Sequence, residues 1–124
     1  MSNRPSMARK HTRTTKQAQQ DQLNVGYRMT IDGEVYEARL GEVTPEIARE
    51  LRRHIGVGFM GLLEQMARDA DIDLVSAAVW VARRIRGERV AFEDVSVSYA
   101  DMLADDFDIG EASSGEDAAD DPEA

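Results

Sequence analysis

Cysteine is absent from the chain, so it has neither a disulfide framework nor a thiolate metal site, a usage that fits a reducing compartment. Histidine is scarce. Of the two, His11 lies in a polar basic head, and His54 stands beside Arg52 and Arg53 with Glu50 four positions before it. Imidazole-based metal or acid–base chemistry needs a second ligand or a carboxylate partner, so a solvated helix residue with an i,i+4 contact to Glu50 is the expectation for His54. No apolar run reaches bilayer length and none follows Met1, so neither a membrane span nor a secretion leader is expected. Aromatic residues make up 6% of the chain and none interleaves with the basic cluster, which weighs against nucleic acid as a partner. No catalytic residue, cofactor-binding residue or metal ligand is expected, and the chain does not read as an enzyme.

What is present is charge, and it is unevenly placed. Charged residues are 31% of the 124, with a formal net charge of −9. The head carries Arg4, Arg9, Lys10, Arg13 and Lys16 against Asp21, among Ser, Thr, Gln and Asn. Residues 105–124 hold nine acids and no base. Neither composition offsets the entropy of ordering, so residues 1–24 are expected to form a disordered basic arm and residues 105–124 a disordered acidic tail. The folded domain is then 25–104, a size at which only about 60% of the unfolded surface is buried.

Within that domain, Asp32-Gly33 signals a type I′ hairpin pairing Ile31 with Glu34, Met29 with Tyr36, Tyr27 with Ala38 and Val25 with Leu40, all on one face. The opposite face sets Arg28 against Glu37 and Thr30 against Val35. A lone hairpin is unstable, so its apolar face needs a cover. Thr44-Pro45-Glu46 starts a helix, with Thr44 as cap and proline where its missing N–H costs nothing; Ile47, Leu51 and Ile55 form its stripe. Gly56-Val57-Gly58 reads as a bend rather than a phosphate loop, because no Gly-Lys-Ser/Thr follows it. Phe59, Leu62, Leu63, Met66, Ala67 and Ala70 then recur at amphipathic helical spacing.

Leu74 to Ala82 is apolar almost all round, so that helix belongs inside. Asp71 or Asp73 starts it, Arg83, Arg84 and Arg86 suit the C-terminal end of its dipole, and Gly87 closes it. Trp80 reads as core before it reads as a partner anchor. The alternating Asp69, Asp71 and Asp73 lack the glycine and glutamate of a calcium loop and read as caps and solvated acids. A last helix is expected through Phe92, Val95, Tyr99, Met102 and Leu103. The fold class is α+β, an N-terminal β-hairpin packed on a small bundle of about four helices.

Three stretches together resemble the tail assembly chaperones of long-tailed, siphovirus-type bacteriophages: Tyr27 to Tyr36, Thr44-Pro45-Glu46 with Leu51 to Gly56, and the run from Asp73 through Trp80 and Ala82-Arg83-Arg84 to Gly87-Glu88. Phe92-Glu93-Asp94-Val95 extends the likeness, which covers about residues 25–100. Ala91 stands where a capping serine or threonine would be expected. The resemblance implies a non-enzymatic protein of the host bacterial cytoplasm during infection that binds the tape measure protein, promotes tail tube assembly and is absent from the virion. It also implies a longer form made by programmed frameshifting, with this chain as the short form, and partners comprising the tape measure protein, the tail tube protein and that longer form. Multiple copies along the client are expected. No client-binding residue follows from it. The alternatives are a small DNA-binding regulator that uses the basic arm and Arg83, Arg84 and Arg86, and a minor structural head–tail or neck protein.

Overall fold

A three-stranded antiparallel sheet lies against a short bundle in the computed structural model, which describes residues 22–112. The elements follow in the order β1 (Gly26–Ile31), β2 (Glu34–Arg39), a 3-10 turn (Leu40–Glu42), α1 (Pro45–Ile55), α2 (Phe59–Arg68), α3 (Ile72–Ile85), a second 3-10 turn (Phe92–Asp94), α4 (Tyr99–Met102) and β3 (Asp108–Glu111). This is the expected α+β class. The expected basic arm and acidic tail fall outside the described residues, except at their inner ends.

The hairpin forms in the register that Asp-Gly dictates. Asp32 and Gly33 take φ of 53° and 81°, the left-handed pair that a type I′ turn requires and that glycine adopts without steric cost. Ile31 pairs with Glu34, Met29 with Tyr36 and Tyr27 with Ala38, while Arg28 faces Glu37 and Thr30 faces Val35. Pairing continues beyond the strands, since the Leu40 amide donates to the Val25 carbonyl at 2.8 Å. Tyr27, Met29, Ile31 and Ala38 are buried, as the alternation requires. Gly26 is needed for a different reason: a Cβ there would fall 1.9 Å from the Ala38 carbonyl oxygen.

α1 begins where Thr44 accepts a hydrogen bond from the Ile47 amide at 3.2 Å, with Pro45 in the first turn. It ends at Gly56, and the 56–58 bend leads into α2. The stripe of α2 is narrower than its spacing suggested. Phe59, Leu62 and Met66 are buried, Leu63 and Ala70 are half-buried, and Ala67 is exposed.

α3 is the hub. Val75 and every residue from Ala77 to Ala82 are buried, with Trp80 at 0% exposure. β2, α1 and α2 all pack against it. Ala38, Ala77 and Ala78 are small and wholly buried, which suits a close approach of strand and helix. The Tyr27 hydroxyl donates to the Ala78 carbonyl at 2.5 Å and thereby fastens β1 to the same helix. At its C-terminus the Gly87 amide donates to the Arg84 carbonyl and the Glu88 amide to the Arg83 carbonyl, the paired bonds of a Schellman closure. Asp71 occupies the N-cap position, but its carboxylate makes no capping bond, and Asp73 sits in the first turn, where an acid suits the dipole.

Two expectations need correction. The continuous helix expected through Phe92, Val95, Tyr99, Met102 and Leu103 is broken into a 3-10 turn, an extended stretch and the single turn of α4. Val95 and Val97 are buried while Ser96 and Ser98 are exposed, so this stretch follows a two-residue period, which β-branched residues favour over a helical one. Ser98 and Asp101 then form a reciprocal capping box that starts α4, and Leu103, expected on the buried stripe, is 83% exposed.

The second correction concerns the boundary at residue 105. Asp108–Glu111, placed in the acidic tail by composition, is strand β3, paired antiparallel with the free edge of β1 and setting Ile109 opposite Met29. Asp106 secures it from the other side, its carboxylate accepting from the Gly33 amide at 2.7 Å. Backbone pairing supplies what side-chain composition lacks here. The sheet order is therefore β2-β1-β3, with the expected hairpin extended by one strand. Among the described residues no helix is long and apolar enough to cross a membrane.

Candidate partner-binding surface

Where α1 ends, α2 ends and α3 begins, the 92–95 segment crosses over and leaves an open groove of 830 Å³. Each wall has a local cause. The bend after Ile55 stops α1, the break at Asp69 stops α2, and the 3-10 turn at Phe92–Asp94 turns the chain back across both. Ile55, Leu74, Phe92 and Val95 give the groove apolar lining. Asp69, Asp71, Asp73 and Glu93 stand around it, with Arg68 and His54 as the basic side chains present.

His54 is exposed, as expected, but it is not merely solvated. Its ring stacks on Phe92 with centroids 4.2 Å apart and planes at 8°, and it meets Trp80 edge-on at 6.4 Å. Phe92 in turn lies 5.5 Å from Trp80. Phe92 therefore plugs the space between the groove and the buried indole. The Trp80 Nε1 donates to the Val90 carbonyl at 2.9 Å, so its polar edge is satisfied internally. The indole is core, and it offers no surface to a partner while the domain is folded.

The contact expected between Glu50 and His54 is replaced by a longer-range one. Glu50 accepts from Arg84 at 2.7 Å, and Arg84 also reaches Glu46 at 3.6 Å while lying 5.3 Å from the centre of the Trp80 ring. Arg84 suits this place because it supplies a full charge and a planar face together. Arg83 pairs with Glu88 at 2.7 Å, and Arg86 with Glu34 at 3.2 Å and Glu88 at 3.7 Å. All three arginines thus face carboxylates of this chain.

The acids of the groove contrast with these. Among the described residues, none of Asp69, Asp71, Asp73 and Glu93 forms a salt bridge. Asp71 accepts from the Tyr99 hydroxyl at 3.2 Å. The negative charge of Asp71, then its hydrogen bond, then desolvation and the charges of Asp73 and Asp69, raise the Tyr99 phenol above its ordinary pKa, which marks the field on this side. No set of three or more histidine or carboxylate side chains among the described residues is arranged to hold a metal ion.

A second groove, of 540 Å³, opens where β1 and β3 meet α2, with Val25, Leu63, Met66 and Ile109 among its lining. Sequence reasoning named no groove residue as such. It placed Phe92 on a helix and treated the three aspartates as caps; the stacking of His54 on Phe92 depends on residues 38 positions apart and has no local signal. His11 and the basic cluster from Arg4 to Lys16 lie outside the described residues. Compared with known proteins, the chain matches no family model, no curated protein and no solved structure.

Proposed function

We propose that this chain is a tail assembly chaperone of a long-tailed bacteriophage, in its short, non-frameshifted form, which holds the tape measure protein in the host cytoplasm and yields it to tail tube subunits. The reading rests on the resemblance of residues 25–100. One structural observation supports it in kind: an open apolar groove, edged by carboxylates with no cationic partner among the described residues, on a domain whose own core is closed. Such a surface suits a non-covalent hold on another polypeptide. Modest affinity per copy, multiplied by many copies along one client, gives avidity while leaving each contact reversible.

The DNA-binding alternative draws no help from Arg83, Arg84 and Arg86, which are engaged in ion pairs. Coexpression with the tape measure protein of the same phage tests the proposal. Soluble client copurifying with this chain is the expected result, together with absence of its peptides from purified virions. Insoluble client in its presence, or abundant peptides from residues 25–100 in virions, would overturn it. Duplex DNA binding at submicromolar affinity in about 0.15 M salt, lost on removal of the basic arm, would put the regulator first.

A further inference from the structure

We propose that the groove between His54, Phe92 and Leu74 docks a cationic amphipathic segment of the client polypeptide, its apolar side chains on Ile55, Leu74 and Phe92 and its Lys or Arg residues against Asp69, Asp73 and Glu93. The identity of that client rests on the chaperone reading; the chemistry of the segment rests on the groove. Two observations carry it. The apolar side chains at this site are half-buried rather than sealed, apart from Val95, whereas those of α3 from Ala77 to Ala82 are fully covered. Four carboxylates also gather around them without an ion pair among the described residues; Asp32, Glu64 and Asp94 are likewise outside any salt bridge there, so what sets the groove acids apart is their clustering beside an apolar floor. Glu34, Glu37, Glu42, Glu46, Glu50 and Glu88 all pair with arginines, whereas the four acids of the groove form no such pair among the described residues. An apolar floor edged by four carboxylates against the single arginine Arg68 carries a net negative charge, and is complementary to a segment that is apolar on one side and basic on its flanks. It disfavours an acidic or purely apolar one, since either leaves charge unmatched or meets like charge.

The test uses the full chain, isotopically labelled, and two probe peptides of about 14 residues, one alternating leucine and lysine at helical spacing and the other leucine and glutamate. In about 0.15 M salt the leucine–lysine peptide is expected to bind, with amide shifts centred on residues 54–55, 69–76 and 92–95, and the leucine–glutamate peptide is expected not to. The triple variant Asp69→Asn, Asp73→Asn, Glu93→Gln removes exposed charges, so it should keep the fold, read by unchanged Trp80 fluorescence, and bind the basic peptide about tenfold more weakly. Undiminished binding by that variant, or shifts centred on the groove of Leu63 and Ile109, would overturn the proposal. So would occupation by the chain's own arm, seen as movement of the groove amides without peptide when Arg4, Arg9, Lys10, Arg13 and Lys16 are replaced by glutamine. The two readings fail separately. A triple variant that still keeps the tape measure protein soluble removes the groove and leaves the chaperone, and a wild-type chain that binds the probe but not the client does the reverse.

Discussion

Replacing Tyr27 by phenylalanine removes one oxygen and tests how the sheet is fastened to the central helix. That oxygen is buried with the ring, which is 2% exposed and lies 5.8 Å from Phe59, and it donates to the Ala78 carbonyl at 2.5 Å. Ala78 keeps its helical hydrogen bond in the variant, so no acceptor is left wholly orphaned, and the expected loss is about 1–2 kcal/mol. For a domain of this size that lowers the melting temperature by ~4–8 °C for each kcal/mol. Burial also pushes the Tyr27 phenol well above its ordinary pKa. The unfolded chain therefore releases this proton near pH 10 while the native state retains it. Stability from this group is complete below pH 10 and declines as pH climbs toward the native value, by up to about 1.4 kcal/mol per pH unit. Both lysines, Lys10 and Lys16, lie in the head, so tyrosines dominate the alkaline response of the folded part. Trp80, the one tryptophan, reports unfolding without added labels. Urea titrations followed by its emission should show the variant weaker at neutral pH and the gap to wild type narrowing above pH 10. Equal stability at pH 7, or two parallel alkaline declines, would refute the account of this contact.

The α2 stripe gives a paired contrast: Leu62→Glu, at a position with no exposure, should abolish the cooperative fold by circular dichroism, whereas Leu63→Glu, at a half-buried groove position, should remain folded at a cost of about 1 kcal/mol. Arg84→Met severs the 2.7 Å pair with Glu50 and the guanidinium face on Trp80; about 1–2 kcal/mol should be lost in urea unfolding, and Arg84→Lys should restore only part of it. Asp106→Ala frees the Gly33 amide from its 2.7 Å acceptor, so hydrogen exchange should quicken at Gly33 and along β3 while global stability falls by less than about 1.5 kcal/mol.

Local chemistry made much of the fold legible. Asp32-Gly33 admits few hairpin registers, Thr44-Pro45 marks a helix start by capping and by fixed φ, and a helix apolar all round has to be interior. What stayed hidden needed distant parts of the chain. β3 carries a single large apolar residue, Ile109, in an acidic run, and its order comes from the unpaired edge of β1 and from the turn at Gly33, neither visible around residue 108. The extended stretch at 95–98 was readable, because Val-Ser-Val-Ser alternates with a period of two, yet Phe92, Tyr99 and Met102 at helical spacing obscured it. The groove is a meeting of three helix ends and a crossing segment, and its aromatic stack joins His54 to Phe92. No window of sequence contains it.

The closed state of α3 decides how the proposed holding function is to be understood. Had the apolar helix lacked cover, client binding and completion of the fold would be the same event, and any variant that weakened one would weaken the other. Trp80 instead has no exposure and a satisfied indole N–H, with Phe92 between it and the groove. Folding and binding are then drawn from different side chains: the core from Tyr27, Leu51, Leu62 and Trp80, the proposed contact from half-buried apolar groups and exposed acids. Phe92 links the two, stacked on His54 outside and against Trp80 inside. A segment bound in the groove would press on that ring, so Trp80 emission should respond to client without direct contact, whereas substitutions among the groove acids should leave it unchanged in the free protein.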